Sequence, residues 1–353
     1  MTKKGIKKLK IRRLKIINFK AIDFIEIEFP KPIIKNEPDV FVMGSINGLG
    51  KTSILEACTL LVLAITGGIK LRNRGPFEFP INFFDLLIRS GSDKAVIEAD
   101  VEINNKVQLV SLTLHTNGKI DIDHPNAVSA NKDGNVEMYD YFIHTLAGYS
   151  NEPLLFSYFM YFHSYRKVQE GRIPLGMIVD REERDEHIPR LRPFYRKPLK
   201  SIFKGEVLKA FIGGANLVET LDPKDSSAVL IKLNNLLKNY AKGTIEKLTA
   251  DADSTVDFRV TPVNGGKSFA FDGLSSGQKE IISTLFLIWH YTQNSSAVVL
   301  IDEPELHLNH EWHRNFIGQL NIMAPNNQYI IATHSEDIAD SVDKNRRIIL
   351  RHS

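Results

Sequence analysis

The segment Gly44-Ser45-Ile46-Asn47-Gly48-Leu49-Gly50-Lys51-Thr52-Ser53 decides the fold class. It stands between a short apolar run, Val40-Phe41-Val42-Met43, and a stretch over 51–66 that is apolar nearly all round and stops at Gly67-Gly68. Strand, glycine loop and buried helix in that order aim backbone N–H groups and a helix N-terminus at one point, as a bound phosphate requires. Lys51 can reach the outer phosphates of a nucleoside triphosphate, and the Thr52 hydroxyl can ligate Mg²⁺. Asn47, Gly48, Leu49, Gly50 and Ser53 complete the cradle. The strict pattern has glycine five residues before Gly50; here that place holds Ser45, with Gly44 one step earlier. Serine is small enough to keep the loop.

A partner for this loop lies far down the chain. Val298-Val299-Leu300-Ile301 reads as a buried strand closing on two carboxylates, Asp302 and Glu303. Asp302 suits Mg²⁺, directly or through water, and Glu303 suits orienting or deprotonating an attacking water. Ahead of that strand, Leu274-Ser275-Ser276-Gly277-Gln278 precedes a helix expected from Lys279 onward. Ser275, Gly277 and Gln278 offer an anion a hydroxyl, backbone N–H groups and a helix dipole. Within one chain this turn is not expected to reach the phosphate held by Lys51. In a head-to-tail dimer it closes over the partner's γ-phosphate. His334, in Ala332-Thr333-His334-Ser335 after the strand Gln328–Ala332, is placed to contact the γ-phosphate and the attacking water.

The rest of the chain builds outward from these pieces. Residues 9–29 alternate apolar and polar residues and predict two half-buried strands. Three runs over 95–123, with turn signals at Asn104-Asn105 and Asn117-Gly118, predict an antiparallel meander beside the main sheet. Residues 154–162 (LLFSYFMYF) read as one buried strand. An acidic cluster and then a basic one fill 180–204, where three prolines argue for a loop or lobe edge. Residues 226–248 read as an amphipathic helix, 310–323 as another, and 347–350 as a last short strand. No heptad repeat is long enough for a coiled coil. These patterns predict an α/β fold.

Composition sets the outer limits. The chain has 353 residues, 45 Lys+Arg against 42 Asp+Glu, and one cysteine, so no intramolecular disulfide and no multi-cysteine metal site can form. Together with the lack of a leader-like or membrane-spanning apolar run, this points to a cytoplasmic, membrane-free setting. Residues 1–20 carry nine basic residues and no acid, while the remainder is net −6. A basic arm on a mildly acidic body makes nucleic acid a candidate partner, with a solubilising lead-in to the first strand as the plain alternative. Cys58 reads as a small core residue. His307, His310 and His313 recur every third residue, where a dimer-contact or capping role outweighs a metal. The basic run 190–204, with Phe194 and Tyr195, could contact nucleic acid, but a partner-binding face or a solvated lobe fits at least as well, because the acidic cluster beside it repels phosphates.

The order of loop, signature turn, carboxylate pair and histidine resembles the ABC-type ATPase heads of the SMC/RecF and OLD-like (overcoming lysogenization defect) group, over nearly the whole chain. The string Ile301-Asp302-Glu303-Pro304-Glu305-Leu306-His307-Leu308-Asn309 is particularly similar to OLD-like anti-phage ATPases, including those associated with Septu and retron systems. The resemblance implies a P-loop head with a mixed central sheet, an antiparallel β subdomain and a helical signature lobe, without a coiled coil. It implies one domain over 1–353: an N-terminal lobe to about 165, an inserted lobe over 166–273, and 274–353 carrying signature, carboxylates and histidine. ATP and Mg²⁺ are the implied cofactors, and Lys20, after Asn18-Phe19, is implied to touch phosphate. The group also places a polar residue after a strand near Mg²⁺ and water, for which His163, Ser164 and Gln169 are the candidates.

A homodimer around two ATP sandwiches is therefore expected, with higher oligomers open. Each site combines Lys51, Thr52, Asp302, Glu303 and His334 of one chain with Ser275 and Gly277 of the other. Since the ATPase motifs fill the chain, the output is expected in a separate effector, a nuclease or other toxin, of an anti-phage system. The rival readings are a RecF-like ATPase clamping DNA through the basic arm and a scaffold that binds ATP with little turnover.

Overall fold

The computed structural model describes residues 8–32, 39–44, 48–67, 83–124, 152–174, 201–214, 223–245, 248–250, 255–306 and 308–351. Leu9–Phe19 (β1) and Ile22–Glu28 (β2) pair antiparallel around a tight turn in which Lys20 is left-handed (φ 52°). Asp39–Gly44 (β3) is buried at every residue and leads through the glycine loop into Lys51–Gly67 (α1). A short helix, Phe83–Leu87 (α2), precedes the meander Lys94–Ile103 (β4), Lys106–His115 (β5) and Ile120–Asp123 (β6). Asn104 and Asn105 hold φ of 48° and 68°, the two left-handed positions of a two-residue hairpin. β1 and β2 join this meander in one antiparallel sheet of order β2-β1-β4-β5-β6.

The stretch expected as one strand over 154–162 is instead a hairpin. Leu154–Phe156 (β7) and Phe159–Phe162 (β8) pair antiparallel about a turn at Ser157-Tyr158. Apolar character ran through the turn because Tyr158 packs against the core, so hydrophobicity hid the reversal.

Next come a bridge-length strand Ile173–Pro174 (β9), helices Ile202–Gly214 (α3) and Pro223–Ala241 (α4), and short strands Gly243–Thr244 (β10), Leu248–Ala250 (β11), Thr255–Pro262 (β12) and Phe269–Ala270 (β13). β12 is the spine of this small sheet, with β9, β10, β11 and β13 all paired to it. The amphipathic helix expected over 226–248 thus starts earlier and ends at Ala241. Lys242 turns left-handed (φ 50°) and Gly243 enters a strand where an added Cβ would meet Val260 Cγ1 at 2.4 Å. The reading of 180–204 as a loop or lobe edge falls mainly outside the described residues.

Ser276–Thr292 (α5) then leads to Val298–Asp302 (β14), His310–Met323 (α6), Gln328–Thr333 (β15), Glu336–Asp340 (α7) and Arg347–Ile349 (β16). The central sheet has the order β16-β3-β15-β14-β8-β7, parallel throughout except for β7. β3, β14 and β15 are buried at every residue, which is why they read as unbroken apolar runs. α1 contacts β1, β4 and β5 of the antiparallel sheet and β14 and β15 of the central one. A helix between two sheets has no solvent face, so Ile54, Leu55, Leu61, Val62 and Cys58 are all fully buried. Burial pushes the Cys58 thiol up to about 12, as for an inert core residue.

Two compact units divide the chain: Met1–Tyr149 with Pro153–Ser164 and Tyr291–Ser353, and Ser150–Glu152 with Tyr165–His290. The first contains both larger sheets and α1; the second contains the β12 sheet, α3, α4 and most of α5. Among the described residues no helix is long and apolar enough to cross a membrane.

The described part of the basic arm is neutralised within the fold. Lys10 pairs with Asp39 at 2.8 Å, Arg12 with Asp39 and Glu102 at 3.1 Å each, and Lys8 with Glu102 at 3.1 Å. Arg13 meets Glu26 at 2.5 Å, Lys15 meets Glu98 at 3.0 Å, and Lys20 meets Glu56 at 2.5 Å. Burial alone would raise the Glu102 carboxyl, but its hydrogen bonds to Lys8 and Arg12 hold it down at about 2. Lys10 and Asp39 are nearly inaccessible, so this charge ties β1 to the start of β3. Lys3, Lys4 and Lys7 lie outside the described residues.

Candidate nucleotide-binding site

Register explains how residues almost 300 positions apart meet. Met43 of β3 pairs with Ala332 of β15, and Ala332 pairs with Asp302 of β14. All three strands are parallel, so the glycine loop, the carboxylate pair and His334 leave the same edge of the sheet side by side. Gly48 and Gly50 carry φ of 83° and 86°, which side-chain-bearing residues rarely adopt. At Gly50 a Cβ would also stand 3.0 Å from Ile22 Cγ1. Asn47 lies outside the described residues; Leu49 and Ser53 flank the start of α1.

The side chains converge closely. The Thr52 hydroxyl donates to Asp302 Oδ2 at 2.9 Å, and Asp302 is fully buried. A hydroxyl and a buried carboxylate are two hard oxygen donors, a set that fits Mg²⁺. Lys51 Nζ stands 3.0 Å from His334 Nε2, and His334 Nε2 is 3.3 Å from Glu303 Oε1. Lys51 is 5 % exposed. Burial lowers its ammonium, while Glu303, Asp302 and Glu305 act to keep it charged.

Glu303 adopts φ 47°, a left-handed backbone unusual for a non-glycine residue and worth on the order of 1–3 kcal/mol of strain. Two bonds fix it there: its N–H donates to Ala332 O at 2.8 Å, and its carbonyl accepts from Leu306 N–H at 3.2 Å. The turn swings the carboxylate toward His334. Glu305, two residues on in the same motif, is a further functional residue that motif spacing does not reveal. Its Oε2 accepts from the Thr333 hydroxyl at 2.7 Å and its Oε1 from the His334 N–H at 2.5 Å. The motif Glu303-x-Glu305 places it beside the carboxylate pair but does not show its partners, which lie at the end of another strand.

Lys20 reaches α1 through Glu56, whose carboxyl burial holds above its usual range although Lys20 opposes this. Of the three candidates for the polar residue after a strand, His163 follows β8 directly. It lies one step beyond the Phe162–Ile301 pair, as does Asp302 on β14, and is buried. Ser164 comes next in the same unit, and Gln169 belongs to the other unit.

In that other unit, Ser275 caps α5. Its hydroxyl accepts from Gln278 N–H at 3.2 Å, while Gln278 Oε1 accepts from Ser275 N–H at 3.0 Å. This reciprocal capping box starts the helix at Ser276, three residues before the expected Lys279. Gln278 Nε2 also donates to Tyr240 O at 2.9 Å, and Gly277 is buried.

His307 lies outside the described residues, and α6 begins at His310. His310, His313 and Asp337 bring one potential ligand atom each within 4.8 Å of one another. His313, however, already bonds Glu305 O at 3.2 Å and Ser335 Oγ at 3.3 Å. Asp337 accepts from Arg314 at 3.2 Å, which holds its carboxyl below the usual range. The His313–Ser335 and Arg314–Asp337 hydrogen bonds join α6 to the start of α7, with His310 3.6 Å from Asp337.

Residues 46–340 match the family described as "AAA domain, putative AbiEii toxin, Type IV TA system". Two curated relatives carry "probable ATPase" in their names. The Retron Vc95 probable ATPase of Vibrio cholerae serotype O1 biovar El Tor is 27 % identical over 28 % of this chain and 22 % of its own length. The Retron Ec83 probable ATPase of Escherichia coli is 34 % identical over 17 % of this chain and 11 % of its own. The matches thus span about a fifth or less of these relatives. Among solved structures, an SMC head bound to the C-terminal winged-helix domain of ScpA aligns over 96 % of this chain and 94 % of that one. Its TM-score is 0.54 at 15 % identity, a likeness of fold.

Proposed function

The chain belongs to this AAA-domain family, with the fold of an ABC-type ATPase head, and from that premise we propose that it binds and hydrolyses ATP. The observation that carries the reading is the meeting of Lys51, Thr52, Asp302, Glu303 and His334 at one sheet edge. Gly48, Gly50 and the first turn of α1 present N–H groups to the phosphates, and Lys51 takes their negative charge. Thr52 and Asp302 hold Mg²⁺, which when bound neutralises charge on the transferring phosphoryl group. Glu303 orients the attacking water and accepts its proton, and His334 hydrogen-bonds the γ-phosphate.

The head is read as one ATPase domain over 1–353, with 166–273 as an inserted lobe. Two copies close head to tail, each offering Ser275 and Gly277 to the nucleotide held by the other. Binding closes the dimer and hydrolysis opens it. Kinship with retron-associated ATPases supports a defence setting, in which the head controls a separate effector, a nuclease or other toxin. The ion pairs within the basic arm weigh against a DNA clamp built on Lys8, Arg12 and Arg13.

Light scattering tests the dimer. The Glu303→Gln chain is expected to double in mass with ATP and Mg²⁺ and to remain single with ADP. A mass that ignores the nucleotide contradicts the sandwich.

A further inference from the structure

We propose that Glu305 is the positioning residue for His334, a clasp that fixes the histidine's backbone while Glu303 acts beside it; this rests on the ATPase reading above. The Glu305 carboxylate grips two successive residues, with Oε2 on the Thr333 hydroxyl and Oε1 on the His334 N–H. Thr333 Oγ in turn accepts from the Ser335 N–H at 2.9 Å, so three consecutive residues hang on one carboxylate. Behind the clasp stands His313, bonded to Glu305 O and Ser335 Oγ and 9 % exposed. Ser335 also caps α7. The Thr333 hydroxyl and the His334 N–H are thus held directly by the segment that carries Glu303, and the Ser335 N–H is held through Thr333.

The physical consequence is a shared frame. Glu303 is tied to Ala332 by its own N–H, and His334 is tied to Glu305 by its N–H, so the two functional groups cannot shift independently. Charge-assisted bonds of this kind are short and strong, and a positioned group displaced by about 1 Å costs on the order of a hundredfold in rate. Glu305 touches neither nucleotide nor water in this scheme; it acts through His334.

The test is a double-mutant cycle on ATP turnover with Glu305→Ala, Glu305→Gln and His334→Ala. Glu305→Ala is expected to lower kcat by about 10–100-fold with KM within about threefold. Glu305→Gln keeps an oxygen for the His334 N–H and an amide for Thr333, and is expected to recover most of that loss. In the His334→Ala background, Glu305→Ala is expected to add less than about twofold. Independent, multiplicative losses, a loss confined to KM, or a Gln variant as impaired as Ala would each overturn the clasp. Should Glu305→Ala fail to fold, Thr333→Val removes one arm and is expected to lower kcat in the same, non-additive way. Hydrogen exchange at the His334 amide reads the clasp without turnover: fast exchange in Glu305→Ala and slow in Glu305→Gln are expected, and equal rates overturn it. A wild-type chain that does not hydrolyse ATP refutes the ATPase reading instead, and leaves the exchange result to decide the clasp.

Discussion

Replacing Glu303 by Gln is expected to reduce ATP turnover by about 10²–10⁴-fold while nucleotide affinity stays within a few fold. Gln keeps the shape and the hydrogen-bonding oxygen but cannot accept a proton. The surroundings isolate that change. The carboxylate stands 3.3 Å from His334, and its backbone is held at φ 47° by the bond to Ala332 rather than by the side chain. The substitution should therefore leave fold and loop intact, and the loss should fall in kcat. Phosphate release and equilibrium nucleotide binding, measured on the same preparation, separate the two. Retained turnover would remove Glu303 from the chemistry.

Lys51→Ala is expected to act one step earlier, weakening nucleotide binding by on the order of a hundredfold, about 3 kcal/mol. Lys51 is nearly inaccessible and faces Glu303, Asp302 and Glu305. Removing its charge does more than delete a phosphate contact. It leaves three carboxylates without their shared counter-charge at the place where phosphates must approach, so repulsion adds to the lost attraction. Titration of a fluorescent ATP analogue checks this, and unchanged affinity would contradict it.

The fold was legible where pattern and physics coincide. The glycine loop showed by its glycines and the Lys51-Thr52 pair, β3, β14 and β15 showed as apolar runs because parallel strands are covered on both faces, and α1 showed as apolar all round because it lies between two sheets. The 104–105 hairpin was visible because two asparagines tolerate left-handed backbone. What stayed hidden depended on partners distant in sequence. The 157–158 reversal was masked by Tyr158, which packs while turning. The strands around β12 are two or three residues long for the most part, too short for any period to show. In the site, Lys51, Thr52, Asp302, Glu303 and His334 were readable as motifs, whereas Glu305 was not. Its role consists of two hydrogen bonds to a strand end some thirty residues away, which spacing alone does not encode. The basic arm taught the reverse lesson: its charge was conspicuous in the sequence, yet the described part is matched residue by residue by carboxylates of β2, β3, β4 and α1.

The central claim is that each ATP site is completed by a second chain, and mixing two inactive variants tests it most directly. Lys51→Ala removes the phosphate-holding half and Ser275→Arg blocks the signature half, so each variant alone is expected to be inert. In a mixed dimer one site loses both halves while the other regains both, so equal mixing is expected to restore about a quarter of wild-type turnover. Turnover by Ser275→Arg alone, or no recovery on mixing, would contradict a site shared between two chains.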